Sequence, residues 1–182
     1  MSKALGMVEY KTVTAGIVAT DAMVKTSAVD IVEAQTVCPG KYITIISGSL
    51  SAVKAAVDNA NANYGALLIN SFVLGNPHES IFPAIYAAVQ IEEVAALGIL
   101  ETYDATSIIE AADIAAKTAI VELIELRIAR GMCGKSYMLL TGDVSAVQAA
   151  IDRAKAEVGQ KGMFMDSAVI AHPDEKVRKA IL

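Results

Sequence analysis

Residues 36 to 42 read TVCPGKY, which sets Cys38 ahead of a proline and a glycine in a chain that has only two cysteines. A thiolate in a turn is a ligand for a soft metal or an iron-sulfur cluster, but such centres want three or four thiolates. One chain does not supply them locally. If Cys38 binds metal, other copies of the chain must help; otherwise it is a small residue packed into a tight turn. The second cysteine, Cys133, lies in RGMCGKSY one residue before another Gly-Lys pair, Gly134-Lys135. His78 and His172 flank Pro77 and Pro173, but each stands alone among different neighbours and reads as a satisfied surface or edge histidine rather than a metal ligand. No Ser-His-Asp grouping, HExxH, GxxxxGK[ST] or GxGxxG pattern is present. Glu9 and Glu101 fall inside expected first strands, where a shared structural hydrogen bond outweighs acid-base chemistry. The chain does not read as an enzyme.

Net charge is −5, from 20 acidic and 15 basic residues, without a basic run carrying interleaved aromatics, so nucleic acid is not an expected partner. Mean hydropathy is +0.48 and hydrophobic residues make up 54%, which implies apolar surface hidden in subunit contacts. The longest charge-free stretch, 59–78, is broken by asparagines, glycine and proline, so no membrane span is expected. The start, MSKALGMVEYK, lacks a long apolar segment before a small-residue cleavage site, and the reading is cytosolic. Cysteines without CxxC spacing fit neither a disulfide framework nor a zinc finger.

What positions the two Gly-Lys turns is a duplication. At an offset of 92, Leu5-Gly6 aligns with Leu97-Gly98, Glu9 with Glu101, Asp21 with Asp113, Lys25-Thr26 with Lys117-Thr118 and Glu33 with Glu125. After two extra residues, Gly40-Lys41 meets Gly134-Lys135 and SAVKAAVD (51–58) meets SAVQAAID (145–152), then Gly65 meets Gly159. A further step of two aligns Ser71, Pro77 and Glu79 with Ser167, Pro173 and Glu175. A period this long exceeds a solenoid unit of about 20 to 50 residues, so each half is a small domain, 1–92 and 93–182. Both length changes fall where turns are expected.

Each half reads as strand, helix, two strands, helix, strand and terminal helix. ALGMVEY and VDIVEAQTV are rich in β-branched residues, and YITIISG is a short apolar run bounded by turn residues. Over 51–63, Val53, Ala56, Val57 and Ala60 recur at helical spacing, with Ser51 as the expected N-cap and Gly65 as a left-handed terminator. Ser145, Val147, Ala150, Ile151, Ala154 and Gly159 repeat the pattern. The expected class is an α/β (α+β) sandwich with helices on a mostly antiparallel, ferredoxin-like sheet.

The opening L-G-x-x-E, the D-A-M-x-K helix, the Gly-Lys turn, the G-D-x-S-A-V helix start and the late proline beside a histidine resemble bacterial microcompartment shell domains across essentially the whole chain. Two of them in tandem resemble the trimer-forming class of that family, and TVCPGKY is most similar to its propanediol-utilisation T-type branch. The resemblance implies a homotrimer that imitates a hexamer, packs with other shell proteins in the microcompartment shell, and leaves a pore on its three-fold axis. Three copies of Cys38 would then hold one 4Fe-4S cluster for conducting electrons or for storage, served by a luminal or cytosolic redox enzyme. The rival is a metal-free selective or gated pore.

Pro39, Gly40, Lys41, Gly131, Met132, Cys133, Gly134 and Lys135 would line the pore, Gly40 at positive φ and Lys41 adding positive charge near the anionic cluster. Cys133 departs from the T-type pattern; its turn is two residues longer, and the preferred reading points its thiol away from the centre. Lys25 and Lys117 would reach across the shell edge, with Asn76, His78 and His172 beside them. The family's Pro-Arg-Pro-His-like edge turn is altered here to GNPHES and AHPDEK.

Overall fold

The computed structural model describes residues 4–89, 91 and 93–181. In chain order the elements are β1 (Ala4–Tyr10), α1 (Val13–Thr26), β2 (Val29–Val37), β3 (Lys41–Gly48), α2 (Leu50–Tyr64), a 3-10 turn (Gly65–Leu67), β4 (Leu68–Leu74) and α3 (Ile81–Ile85). There follow β5 (Ala96–Thr102), α4 (Ala105–Thr118), β6 (Val121–Arg127), β7 (Ser136–Gly142), α5 (Val144–Gln160), β8 (Phe164–Ile170) and α6 (Glu175–Ile181). This is the expected order in both halves. By packing, one compact unit holds the chain up to Pro77 together with Gly131–Gly134, and the other holds His78–Arg130 with the chain from Lys135. The expected division near residue 92 falls on a residue outside those described.

Each unit is an α+β layer built on a four-stranded sheet, ordered β2-β3-β1-β4 in the first and β6-β7-β5-β8 in the second, and every pairing is antiparallel. The duplication extends to the irregularities. Register shifts fall between Glu9 and Tyr10 and between Glu101 and Thr102. They recur between Ile31 and Glu33 and between Leu123 and Glu125. A bulge reverses which face a strand's side chains occupy, so retaining it retains the inward set.

The helix-facing set of β1, Ala4, Val8 and Tyr10, packs with Ala19 and Met23 of α1 and with Val53, Ala56, Val57 and Ala60 of α2. The spacing-predicted stripe of α2 is therefore its buried face, and Val147, Ala150, Ile151 and Ala154 of α5 are buried likewise. Close approach of helix to sheet requires glycine. A Cβ on Gly6 would stand 2.6 Å from Val53 Cγ1, and one on Gly98 would stand 2.8 Å from Val147 Cγ1.

The caps lie two residues earlier than expected. Ser49, not Ser51, caps α2, its Oγ accepting from Ala52 N at 3.3 Å, and Asp143, not Ser145, precedes α5. Gly65 is right-handed (φ −65°), because the chain runs straight into the 3-10 turn, whose bonds tighten the end of α2. Gly159 stays inside α5, and the left-handed residue there is Gly162 (φ +70°), one of the added residues in the second loop.

Gly6→Ala and Gly98→Ala should each lower stability by about 1–3 kcal/mol through overpacking, measured by urea denaturation. Tyr10 gives a second test. Its hydroxyl donates to Ala60 O at 3.3 Å, and burial, then Tyr64, pushes its pKa up from 10.0 to about 12. Because the folded value is the higher one, this contribution is intact below pH 10 and is lost as pH rises toward 12. Tyr10→Phe should therefore lose less stability than the parent between pH 9.5 and 11.5 in the same denaturation assay.

Candidate functional site

The first Gly-Lys turn is a loop of three residues, Cys38, Pro39 and Gly40, closed by the pairing of Val37 with Lys41 and by Gly40 N donating to Val37 O at 3.0 Å. The Cys38-Pro39 peptide bond is cis. Gly40 sits at φ +87° with open space where a Cβ would be, so the turn asks for glycine through its backbone angle and not through crowding. Cys38 is a free, half-buried thiol, while Pro39 and Gly40 are exposed.

Lys41 does not offer a free positive charge. Its Nζ lies 2.9 Å from Oε1 of Glu9, whose side chain is fully buried, and the lysine itself is 22% exposed. Alternation along β1 puts Glu9 on the face opposite Val8 and Tyr10, away from the helices. The charge expected to face an anionic centre is instead spent inside the sheet.

The second turn is built differently. Pairing of β6 with β7 stops at Arg127 and Tyr137, leaving residues 128–135 as a longer connection. Its backbone is left-handed at Ala129 (φ 52°), Gly131 (φ 71°), Cys133 (φ 53°) and Gly134 (φ 90°). A left-handed non-glycine costs on the order of 1–3 kcal/mol, and at Ala129 that conformation is accompanied by its N donating to Ser136 Oγ at 3.0 Å. Residues 131–134 pack with the first unit. A Cβ on Gly134 would meet Lys41 Nζ at 3.2 Å and Cys38 O at 3.3 Å, which reserves the position for glycine. Cys133 is exposed, and Met132 and Lys135 are half-buried.

The expected bond shared by Glu9 and Glu101 is not shared. Glu101 is half-buried, and among the described residues no ion pair joins it to Lys135, because Lys135 lies before β7 begins. At the base of the second connection Glu125 accepts from Arg127 and from Tyr137 Oη at 2.8 Å each. Burial, then Glu125, pushes the Tyr137 hydroxyl pKa up.

The candidate edge lysines occupy the C-terminal ends of α1 and α4. Lys25 pairs with Asp21 at 2.6 Å on an exposed surface, and Lys117 pairs with buried Asp113 at 2.6 Å. Asp113 also accepts from His78 N at 2.7 Å, and the His78 ring shares a 2.8 Å hydrogen bond with Ser80 Oγ. Asn76 and His172 are exposed. The two lysines thus share an i, i+4 carboxylate partner, but only the second carboxylate also ties down the segment leading to α3.

Among the described residues no three His, Cys, Asp or Glu side chains gather to hold a metal ion. A single chain therefore offers one half-buried thiol at the first turn, a donor set that fits a thiolate-bound cluster only if several chains each contribute theirs. Among the described residues no helix is long and apolar enough to cross a membrane.

Two sheets with the same strand order, the same bulges and a Gly-Lys turn apiece define a tandem-duplicated α+β protein. The chain belongs to the BMC-domain family, whose domain matches residues 4–77 and again 96–173. It is 37% identical over 177 residues to the bacterial microcompartment shell protein PduT of Citrobacter freundii, covering 97% of this chain and 96% of that one. The shell protein PduA of Salmonella typhimurium is 48% identical over 56 residues, 31% of this chain and 60% of that one. The crystal structure of a microcompartment protein from Desulfitobacterium hafniense superposes with a TM-score of 0.91 at 39% identity, covering 98% of this chain and 99% of that one.

Lys41→Met removes the cation 2.9 Å from a buried carboxylate. Lys41→Met should cost about 3–5 kcal/mol in urea denaturation. Lys25→Met, at a solvent-exposed pair, should cost less than about 1 kcal/mol.

Proposed function

We propose that the chain is a structural subunit of a bacterial microcompartment shell, assembling as a homotrimer with other shell proteins. We further propose that its axial pore carries one 4Fe-4S cluster bound by Cys38 of three chains, for conducting electrons across the shell. The coarser part is supported by similarity along nearly the whole chain to a named shell protein. The finer part is carried by one observation, a free, half-buried thiol in a short closed loop.

Such a cluster, when bound, supplies one-electron redox chemistry with little ligand rearrangement. The chain's own contribution is presentation. Val37 and Lys41 close the loop, Gly40 supplies the left-handed angle, and the Glu9–Lys41 pair holds the lysine against the sheet. Pro39, Gly131, Met132, Cys133, Gly134 and Lys135 are the other proposed pore residues, and Lys25, Lys117, Asn76, His78 and His172 the proposed edge contacts. A redox enzyme on one side of the shell would be the electron partner.

Protein purified without oxygen should be brown, with a broad band near ~400 nm and about four irons per three chains. Cys38→Ser should abolish both while the trimer persists by native mass spectrometry, and Cys133→Ser should leave both. Loss on Cys133→Ser alone would move the ligand to the second turn. A colourless parent trimer would leave the metal-free pore as the function.

A further inference from the structure

The halves share the residue pairs Glu9/Lys41 and Glu101/Lys135, yet only the first half joins them. In the first sheet Glu9 stands opposite Ile43, so Lys41, two residues along β3, is its diagonal neighbour on the same face. That separation is within reach of a lysine side chain. In the second sheet Glu101 stands opposite Tyr137 in the matching register, but β7 begins at Ser136 and leaves Lys135 in the connection.

We propose that the Glu9–Lys41 ion pair is the positioning element for Cys38, fixing the first turn as a thiol presenter while the second turn, without such a pair, does not present Cys133 equivalently. Lys41 is held at two points, by its backbone pairing with Val37 across the loop and by its ammonium on a carboxylate sealed from water. Any shift of the loop that carries Lys41 away breaks a 2.9 Å ion pair to a buried carboxylate, which the buried pair resists. The loop between Val37 and Lys41 has three residues, so little freedom remains for the thiol once both ends are held. The backbone at Gly134 closes over the same ammonium, with its Cβ position 3.2 Å from Lys41 Nζ. The purpose of the clamp rests on the cluster reading above; its geometry does not.

The test uses the full chain with Cys133→Ser, so that Cys38 is the one reporting thiol. Glu9→Met with Lys41→Met removes the pair without changing net charge, and Lys41→Arg keeps a cation in place. In the apo protein, alkylation of Cys38 by N-ethylmaleimide should be at least about tenfold faster in the double-methionine variant, through easier local opening. Lys41→Arg should stay near the parent rate. After anaerobic reconstitution the double-methionine variant should retain less than about a third of the parent's iron, whereas Lys41→Arg should match the parent. Alkylation rates within about twofold across all three, with trimers intact, would overturn the proposal. So would equal, non-zero iron content in parent and double-methionine variant. If the parent takes up no iron at all, the cluster reading fails by itself, and the alkylation rates still decide whether the clamp holds the thiol.

Discussion

A carboxylate sealed inside a sheet must be answered by a cation, and Glu9 is answered by Lys41 at the foot of a three-residue loop. Desolvating a charge is tolerated only with a partner at hydrogen-bond distance, so the position of the lysine is set by the strand that carries the glutamate. The geometry of the first turn is thereby referred to a central strand of the sheet and not to the solvent-exposed loop itself.

The sheet can serve as a reference because its own geometry is tightly constrained. Gly6 and Gly98 let a helix lie directly on the central strand, and Val53, Val57, Val147 and Ile151 fill the space a side chain would take. Strand register, bulges and helix contact are then mutually consistent, which leaves the connections as the places where the two repeats differ. One length difference falls at the hairpin end, the other in the loop between α5 and β8, and the longer second hairpin connection carries the left-handed Ala129 and Cys133.

Much of this was legible in the amino-acid order. Self-similarity revealed the duplication, helical spacing found the buried faces of α2 and α5, and turn chemistry located both Gly-Lys loops. Three features were not legible, for physical reasons. Ser49 and Ser51 are equally good caps in composition, and Leu50, 52% exposed, adds nothing to the apolar periodicity that would extend the helix back to it. The partner of Lys41 depends on cross-strand register, which spacing along the chain does not report, so its charge read as free when it was already spent. The equivalence of Glu9 and Glu101 failed for a related reason, since residue identity survived the duplication while strand length did not.

Because the two connections are written separately in one polypeptide, each is open to change without the other. A chain with a single repeat would impose any alteration on every subunit position in its assembly at once. Here a loop can lengthen, gain a thiol or adopt a strained backbone while its counterpart stays short and closed. Tandem repetition within one chain thus grants the molecule two independently variable sites within one architecture, and with them a broken symmetry that repetition of identical parts has no means to reach.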